Sequence, residues 1–460
     1  MKQSEERALR AYVGDLNTLC GFEEFVYADG PTRGVKAFAL NNGRNLRLTV
    51  LADRGLDIHT AQLDGKNVAY AGAVGVRSPH LFREDEARGF LQQFFGGLLT
   101  TCGITYAGAA GEDQGQNLGA HGLYSNQPAQ RVSARMVYQD DEAIIELSGE
   151  VREGRLFGEN VLLSRMLRLH TERNLVTVHD RVENQGFATA PVMLIYHINL
   201  GYPLLDEGAL LYSGAAGVKP RDADAEAGFA RWEQVEAPTP NRSEECFFHT
   251  SYTQETAFAM LNTPAFGWAG IVRFDPGTLP ILTQWKCLRA GEYALGLEPS
   301  TSGVFSRAVA RKDGSLTHLE PGQSRDYHVS VEFTQDTALI DSLIKLAKIP
   351  RCPQNNARHL CRSAGFFCCA DRVLFLSVLA VCRQLGVHRV PAGGHGVVLH
   401  HRHKAQPQIR ADGWQPEVVG GQLRGHSSAL PDGVKRPKHH QAPIPVTQKF
   451  AMYAPHVHHA

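Results

Sequence analysis

The chain has no surplus charge of either sign: across 460 residues, 47 Lys and Arg balance 47 Asp and Glu. That balance argues against nucleic acid or an acidic membrane surface as a partner, because both are met by an excess of basic side chains. Long apolar runs are missing too, and nothing approaches the ~20 residues of a membrane-spanning helix. The longest stretch, around Val373 to Val381, is too short and follows Asp371 and Arg372. The opening residues, MKQSEERALRAYVGDL, are charged and lack the apolar core of a secretion signal. A cytoplasmic location is therefore expected. The first 345 residues contain no Walker phosphate loop, no dinucleotide fingerprint and no HExxH zinc motif. No metal, nucleotide or redox cofactor is expected.

Helical periodicity is scarce, and short strand-like segments take its place. VKAFAL, LRLTVLA, RVSARMVYQ, EAIIELSGEV, VLLSRMLRLHT, LVTVHDRVEN, PVMLIYHINL, AFAMLNT, WAGIVRFD and YHVSVEF are separated by turn-forming groups such as NNGRN, DDE, TERN and NQG. This pattern predicts an all-β fold, a large antiparallel β-sandwich. One segment departs from it. DTALIDSLIKLAKI has apolar residues at helical spacing with Asp336 as the cap, and reads as a short closing helix.

The character changes near residue 350. Residues 350–460 hold 12 of the 21 histidines and 5 of the 9 cysteines, with 14 basic side chains against 4 acidic ones. The domain boundary is placed there: a β-sandwich domain over 1–349, and an atypical His-, Cys- and Arg-rich tail over 350–460. A disordered basic tail, an out-of-frame translation product and a small metal-binding or interaction module all match that composition. The remaining cysteines, Cys20, Cys102, Cys246 and Cys287, are scattered and read as reduced, mostly buried thiols.

The stretch LTQWKCLRAGEYALGLEPSTSG, residues 282–303, reads as two strands joined at RAGE, the second running extended until Pro299. Glu298 then sits at a strand end, held rigidly enough for a general base, although a solvated carboxylate at a strand exit has the same local sequence. In PVMLIYHINLGYPLL, alternation puts His197 and Asn199 on one face and Tyr196 and Ile198 on the other. His197 is either a general acid or a buried histidine satisfied by a backbone carbonyl. His121, in the Gly-rich GAHGLYSNQPA, either meets sugar hydroxyls or is an ordinary loop histidine. Arg165, Arg168 and His170 are expected on a solvated or ion-paired face. Phe94 and Phe95 are expected in the core.

Five segments, ADRGLDI, FFGGLLTTCG, GAHGLYSNQPA, LIYHINLGYPLL and LGLEPST, occur in an order that resembles the galactose mutarotase-like, or aldose 1-epimerase, superfamily. The closer resemblance is to a bacterial branch described only as a domain of unknown function, of DUF4432 type. It covers roughly residues 15–345 and implies the same large β-sandwich. It implies Glu298 as general base, His197 as general acid and His121 as a ring-binding histidine. Arg54 is the match for an early-strand arginine, with Asp57 expected to orient it, although ADRGLDI departs from the better-known mutarotases. The family's substrate-gripping aspartate has no clear match. Gln284, Trp285 or Lys286, one strand before Glu298, is expected to replace it, and Trp285 is the stacking candidate. The implied activity is anomer interconversion on a small-molecule sugar. The alternative, which the missing aspartate keeps open, is a non-catalytic carbohydrate-binding protein using the same cleft. A third reading is another sugar reaction, such as isomerisation or lyase chemistry.

Overall fold

The computed structural model describes residues 1–252 and 256–348. The boundary near residue 350 and the three readings of the tail lie outside the described residues. Two large sheets dominate, and all their strand pairs are antiparallel. The larger, eleven-stranded sheet runs Gly21–Val26, Lys36–Asn41, Leu46–Leu51, Asp57–Leu63, Leu99–Cys102, Ile195–Leu200, Glu292–Ser300, Ile281–Arg289, Glu245–Thr250 and Gly217–Pro220, with Lys66–Asn67 paired beside Asp57–Leu63. The eight-stranded sheet runs Leu210–Ser213, Ala257–Thr263, Trp268–Phe274, Ser324–Thr334, Asn174–Asn184, Asn160–His170, Glu142–Gly154 and Gln130–Gln139.

Alternation along each strand decides what meets between the sheets. In Asn160–His170, Val161, Leu163, Leu167 and Leu169 point inward; Leu48, Val50 and Ile58 of the other sheet join the same buried cluster. Burying each such side chain stabilises the fold by about 1.5–3 kcal/mol. The architecture is thus the expected β-sandwich. The closing helix is present as Thr337–Ala347, capped by the Asp336 carboxylate, which accepts from the backbone N–H groups of Ala338 and Leu339. Its apolar side, including Leu343, packs on Phe258, Met260 and Ile271. Among the described residues no helix is long and apolar enough to cross a membrane.

Inward parity also explains one departure from expectation. Arg165 lies on the same side of its strand as Leu163 and Leu167, so it is ion-paired, one of the two expected states, but fully buried between the sheets rather than on a solvated face. Its guanidinium bonds Asp180, directly opposite on the neighbouring strand, at 2.7 and 2.9 Å. It also reaches across the sandwich to Asp57 at 3.0 Å. Arg168 and His170, of opposite parity, face outward and pair with Glu146 and Glu142. Asp57 therefore pairs with Arg165, not with Arg54 as expected.

Candidate active site

The hairpin Ile281–Arg289 and Glu292–Ser300 turns through Ala290 and Gly291, with Arg289 opposite Glu292. Counting along that register sets Thr283 opposite Glu298 and Trp285 opposite Gly296. On the other flank, Ile195 pairs with Ser300 and Ile198 with Leu297, which brings His197 level with Glu298. The ladder is interrupted between these pairs, where Pro299 has no N–H to donate. Pro299 does not end the strand, which continues to Ser300. Thr283, Glu298 and His197 thus form one row on the sheet face that points away from the sandwich core.

Over this row lies a cleft of about 300 Å³. Its walls come from the helix Glu86–Leu91, the loop carrying Ala110, Ala120 and His121, and Val304 after the Glu298 strand. His197 Nε2 stands 3.3 Å from Glu298 Oε1, without forming a hydrogen bond. Four buried polar atoms converge here with no hydrogen-bond partner: His121 Nδ1, His197 Nδ1, Thr283 Oγ1 and Glu298 Oε1. Buried polar groups are normally paired, so four unpaired ones in a single cleft mark a place for a polar ligand. A larger groove of about 580 Å³ runs along His179, Arg273 and His328 on the outer face of the eight-stranded sheet. His179 is paired there with Asp326 and Arg273 with Glu332, and no buried unpartnered polar atom lines it.

Burial sets the protonation of the row. Loss of water, with Glu244 adding like charge, pushes the Glu298 carboxyl well above the usual carboxylate range; Arg221 offsets this in part. Burial likewise depresses His197 to about 3, helped by neighbouring His121, and His121 itself to about 4. At neutral pH both imidazoles are neutral, and burial favours the protonated form of Glu298. Two glycines keep the geometry. A Cβ on Gly296 would stand 2.5 Å from Glu298 Oε1 and 3.0 Å from Trp285 Cβ. Gly122, at φ +72°, follows His121 in a turn where a Cβ would meet Tyr106 O at 2.2 Å. The loop carrying His121 is anchored by Asp113, whose carboxylate accepts from Arg307 at 2.7 Å and Arg311 at 2.8 Å.

Residues 32–333 match the model of a family described as "Domain of unknown function (DUF4432)". The chain belongs to the DUF4432 family. Among solved structures, this DUF4432 chain resembles a Klebsiella pneumoniae protein described as a "putative aldose 1-epimerase". The identity is 24%, the TM-score 0.68, and the match covers 73% of this chain and 91% of that one. A galactose mutarotase-like protein of Clostridium acetobutylicum matches at 11% identity and TM-score 0.49, over 69% of this chain and 99% of that one. The Slr1438 protein of Synechocystis sp. PCC 6803 matches at 18% identity and TM-score 0.49, over 68% of this chain and 100% of that one. No curated protein matches. The Klebsiella likeness establishes the mutarotase-like sandwich fold.

The DUF4432 chain brings His121, His197, Trp285 and Glu298 together in the cleft. The other expected residues lie elsewhere. Gln284 and Lys286 alternate with Trp285 and so face inward. Gln284 bonds His249 and the Trp232 carbonyl, and Lys286 pairs with Glu236 and Glu245. Arg54 is buried, donating to the carbonyls of Ser125, Arg77 and Gln93 and lying over the Phe95 ring. It fastens loops rather than lining the cleft. Asn199 is fully buried and donates to the carbonyls of Gly97 and His197. Phe95 is core, as expected. Phe94 lines the cleft instead, its ring 5.0 Å from His197 and 6.0 Å from Trp285.

Several lining residues were not foreseen in the sequence. Thr283 is one, and the hairpin register alone places it opposite Glu298. Arg221 and Glu244 are others, sitting beside neighbouring strands far apart in sequence. Glu244 accepts from Arg221 at 2.9 Å and from Trp285 Nε1 at 2.7 Å, joining both into one group.

Proposed function

We propose that the chain is an aldose 1-epimerase, with Glu298 and His197 as its acid–base pair and His121 and Thr283 as ring-hydroxyl partners. The observation that carries this reading is an acid and a base 3.3 Å apart, each with an unpartnered buried polar atom, in a cleft where His121 and Thr283 supply two more. The anomeric hydroxyl and the ring oxygen share one carbon, so the groups that exchange protons with them must be close neighbours. Beyond the imidazole's own ring N–H, the pair holds one transferable proton, on Glu298. Its transfer from Glu298 to His197 gives the carboxylate and imidazolium that ring opening uses. Glu298 takes the proton of the anomeric hydroxyl, His197 gives its proton to the ring oxygen, and the C1–O5 bond breaks as C1=O1 forms. Rotation about C1–C2 presents the other carbonyl face, and the same transfers in reverse close the ring. Each proton transfer contributes about 10²–10⁴-fold. Trp285 and Phe94 offer aromatic faces to the apolar side of the ring.

The direct test is polarimetry on freshly dissolved single anomers. Relaxation to the equilibrium rotation accelerates in proportion to protein, and the recovered sugar keeps its mass and connectivity. A ketose or dehydrated product would overturn the assignment in favour of isomerase or lyase chemistry.

Two further results are expected. With His197 depressed to about 3, its imidazole does not gain a proton across mildly acidic pH. The kcat/KM profile therefore shows no histidine limb from pH 7 down to pH 5. An acid limb centred near the ordinary histidine value of ~6.5 would contradict the burial of His197. Gly296→Ala displaces the Glu298 carboxylate and lowers exchange by roughly 10²-fold, the cost of about 1 Å of misplacement. Circular dichroism checks that its fold is kept, and undiminished exchange would show that the carboxylate position is not critical.

A further inference from the structure

We infer that the cleft selects an uncharged 6-deoxyhexose, with the sugar methyl against the loop wall; this rests on the epimerase reading above. The cleft is two-sided. Three of its four unpartnered polar atoms belong to the sheet row, His197 Nδ1, Thr283 Oγ1 and Glu298 Oε1; the fourth, His121 Nδ1, comes from the loop, its ring 4.4 Å from that of Phe90. Apart from His121, the loop side of the cleft is Phe90, Phe94, Ala110, Ala120 and Val304, which carry no side-chain donor or acceptor. Two backbone N–H groups on that side are engaged internally: Ala109 with the Val304 carbonyl at 2.8 Å, Ala120 with the Glu86 carbonyl at 3.1 Å. A hydroxyl pressed against these side chains loses water without gaining a side-chain partner, whereas a methyl is at no disadvantage.

The charges in the cleft point the same way. Arg221 is its cation, and it is already held by Asp222 at 2.6 Å, Glu244 at 2.9 Å and Cys246 Sγ at 3.0 Å. Lys286, the nearest alternative in sequence, faces the sandwich interior between Glu236 and Glu245. A uronic acid or sugar phosphate would therefore meet the Glu244 carboxylate and the Glu298 carboxyl group, and no unpaired cation among the described residues that line the cleft.

The test measures kcat/KM for anomer exchange by the full-length chain on matched sets. These are 6-deoxy-D-galactose, D-galactose and D-galacturonate; L-rhamnose and L-mannose; and 6-deoxy-D-glucose and D-glucose. In the best set the deoxy sugar is expected to exceed its hydroxylated partner by about tenfold or more, and the galacturonate to be slowest of its set. Val304→Thr adds a hydroxyl to the wall at nearly constant volume and narrows the deoxy preference. Ala110→Ser does the same at a half-exposed position and serves if Val304→Thr loses its fold. Equal or faster exchange of the hydroxylated sugar or the uronate in every set overturns this inference and leaves the epimerase reading standing. So does a deoxy preference that neither variant changes. Acceleration of no sugar in any set overturns the epimerase reading, and this inference with it.

Discussion

Glu298→Gln loses anomer exchange by about 10²–10⁴-fold and becomes at least as stable as the wild type at neutral pH. The first half follows from chemistry: an amide of the same shape fills the site but can neither take nor return a proton. The second follows from burial. The folded-state pKa of Glu298 lies well above its ordinary 4.5, so the folded chain keeps a proton that the unfolded chain releases. Such a group stabilises the fold at pH below 4.5, and that contribution is lost as pH rises through the folded-state value. Glutamine carries no such dependence. The melting-temperature difference between variant and wild type is therefore expected to grow in the variant's favour from pH 5 to pH 8. Neighbouring His197 and His121 drive the opposite trend in both proteins, so the difference between them isolates the carboxyl. A variant that is inactive but equally less stable at all pH values would mean that Glu298 is a structural residue.

Arg165→Met is expected to cost about 3–5 kcal/mol of stability, read from the midpoint of urea unfolding. Methionine fills most of the space, so the loss is electrostatic. It strands Asp180 and Asp57, which the guanidinium now holds at 2.7 and 3.0 Å with both ion pairs out of solvent. Asp57 is already pushed up to about 6 by burial, with Arg165 pulling against that rise. Exchanging both partners as well, Asp57→Asn and Asp180→Asn with Arg165→Met, removes the stranded charges and recovers part of the loss. The network also reaches the site, because Tyr196, next to His197, donates to Asp180 at 2.8 Å. A loss below about 1 kcal/mol, typical of an exposed pair, would contradict this account of the interior.

What could be read from the sequence was whatever local pattern determines. Strand alternation and turn chemistry gave the sandwich and the hairpin that carries Glu298, and helical spacing behind the Asp336 cap gave the closing helix. The same alternation, counted outward from the turn at Ala290 and Gly291, separates Trp285 and Thr283 from Gln284 and Lys286; grouping 284, 285 and 286 as equivalent ignored it. Parity likewise divides Arg165 from Arg168. Arg54 could not be placed this way. It sits in the turn Ala52–Arg54, where no period applies, and its partners are carbonyls more than twenty residues away. The Arg221–Glu244–Trp285 group was equally hidden, since sheet order rather than sequence brings it together. Phe94 and Phe95 show the limit of composition: adjacent identical side chains, one in the core and one on the cleft.

The most direct test of the central claim is two-dimensional exchange NMR on the full-length chain, with a sugar from the panel at its anomeric equilibrium. The account predicts α–β cross-peaks that grow with protein concentration and vanish in Glu298→Gln, while the sugar still binds. Saturable binding with no faster exchange for the wild type on any sugar would contradict it, and would make the cleft a carbohydrate-binding site without catalysis.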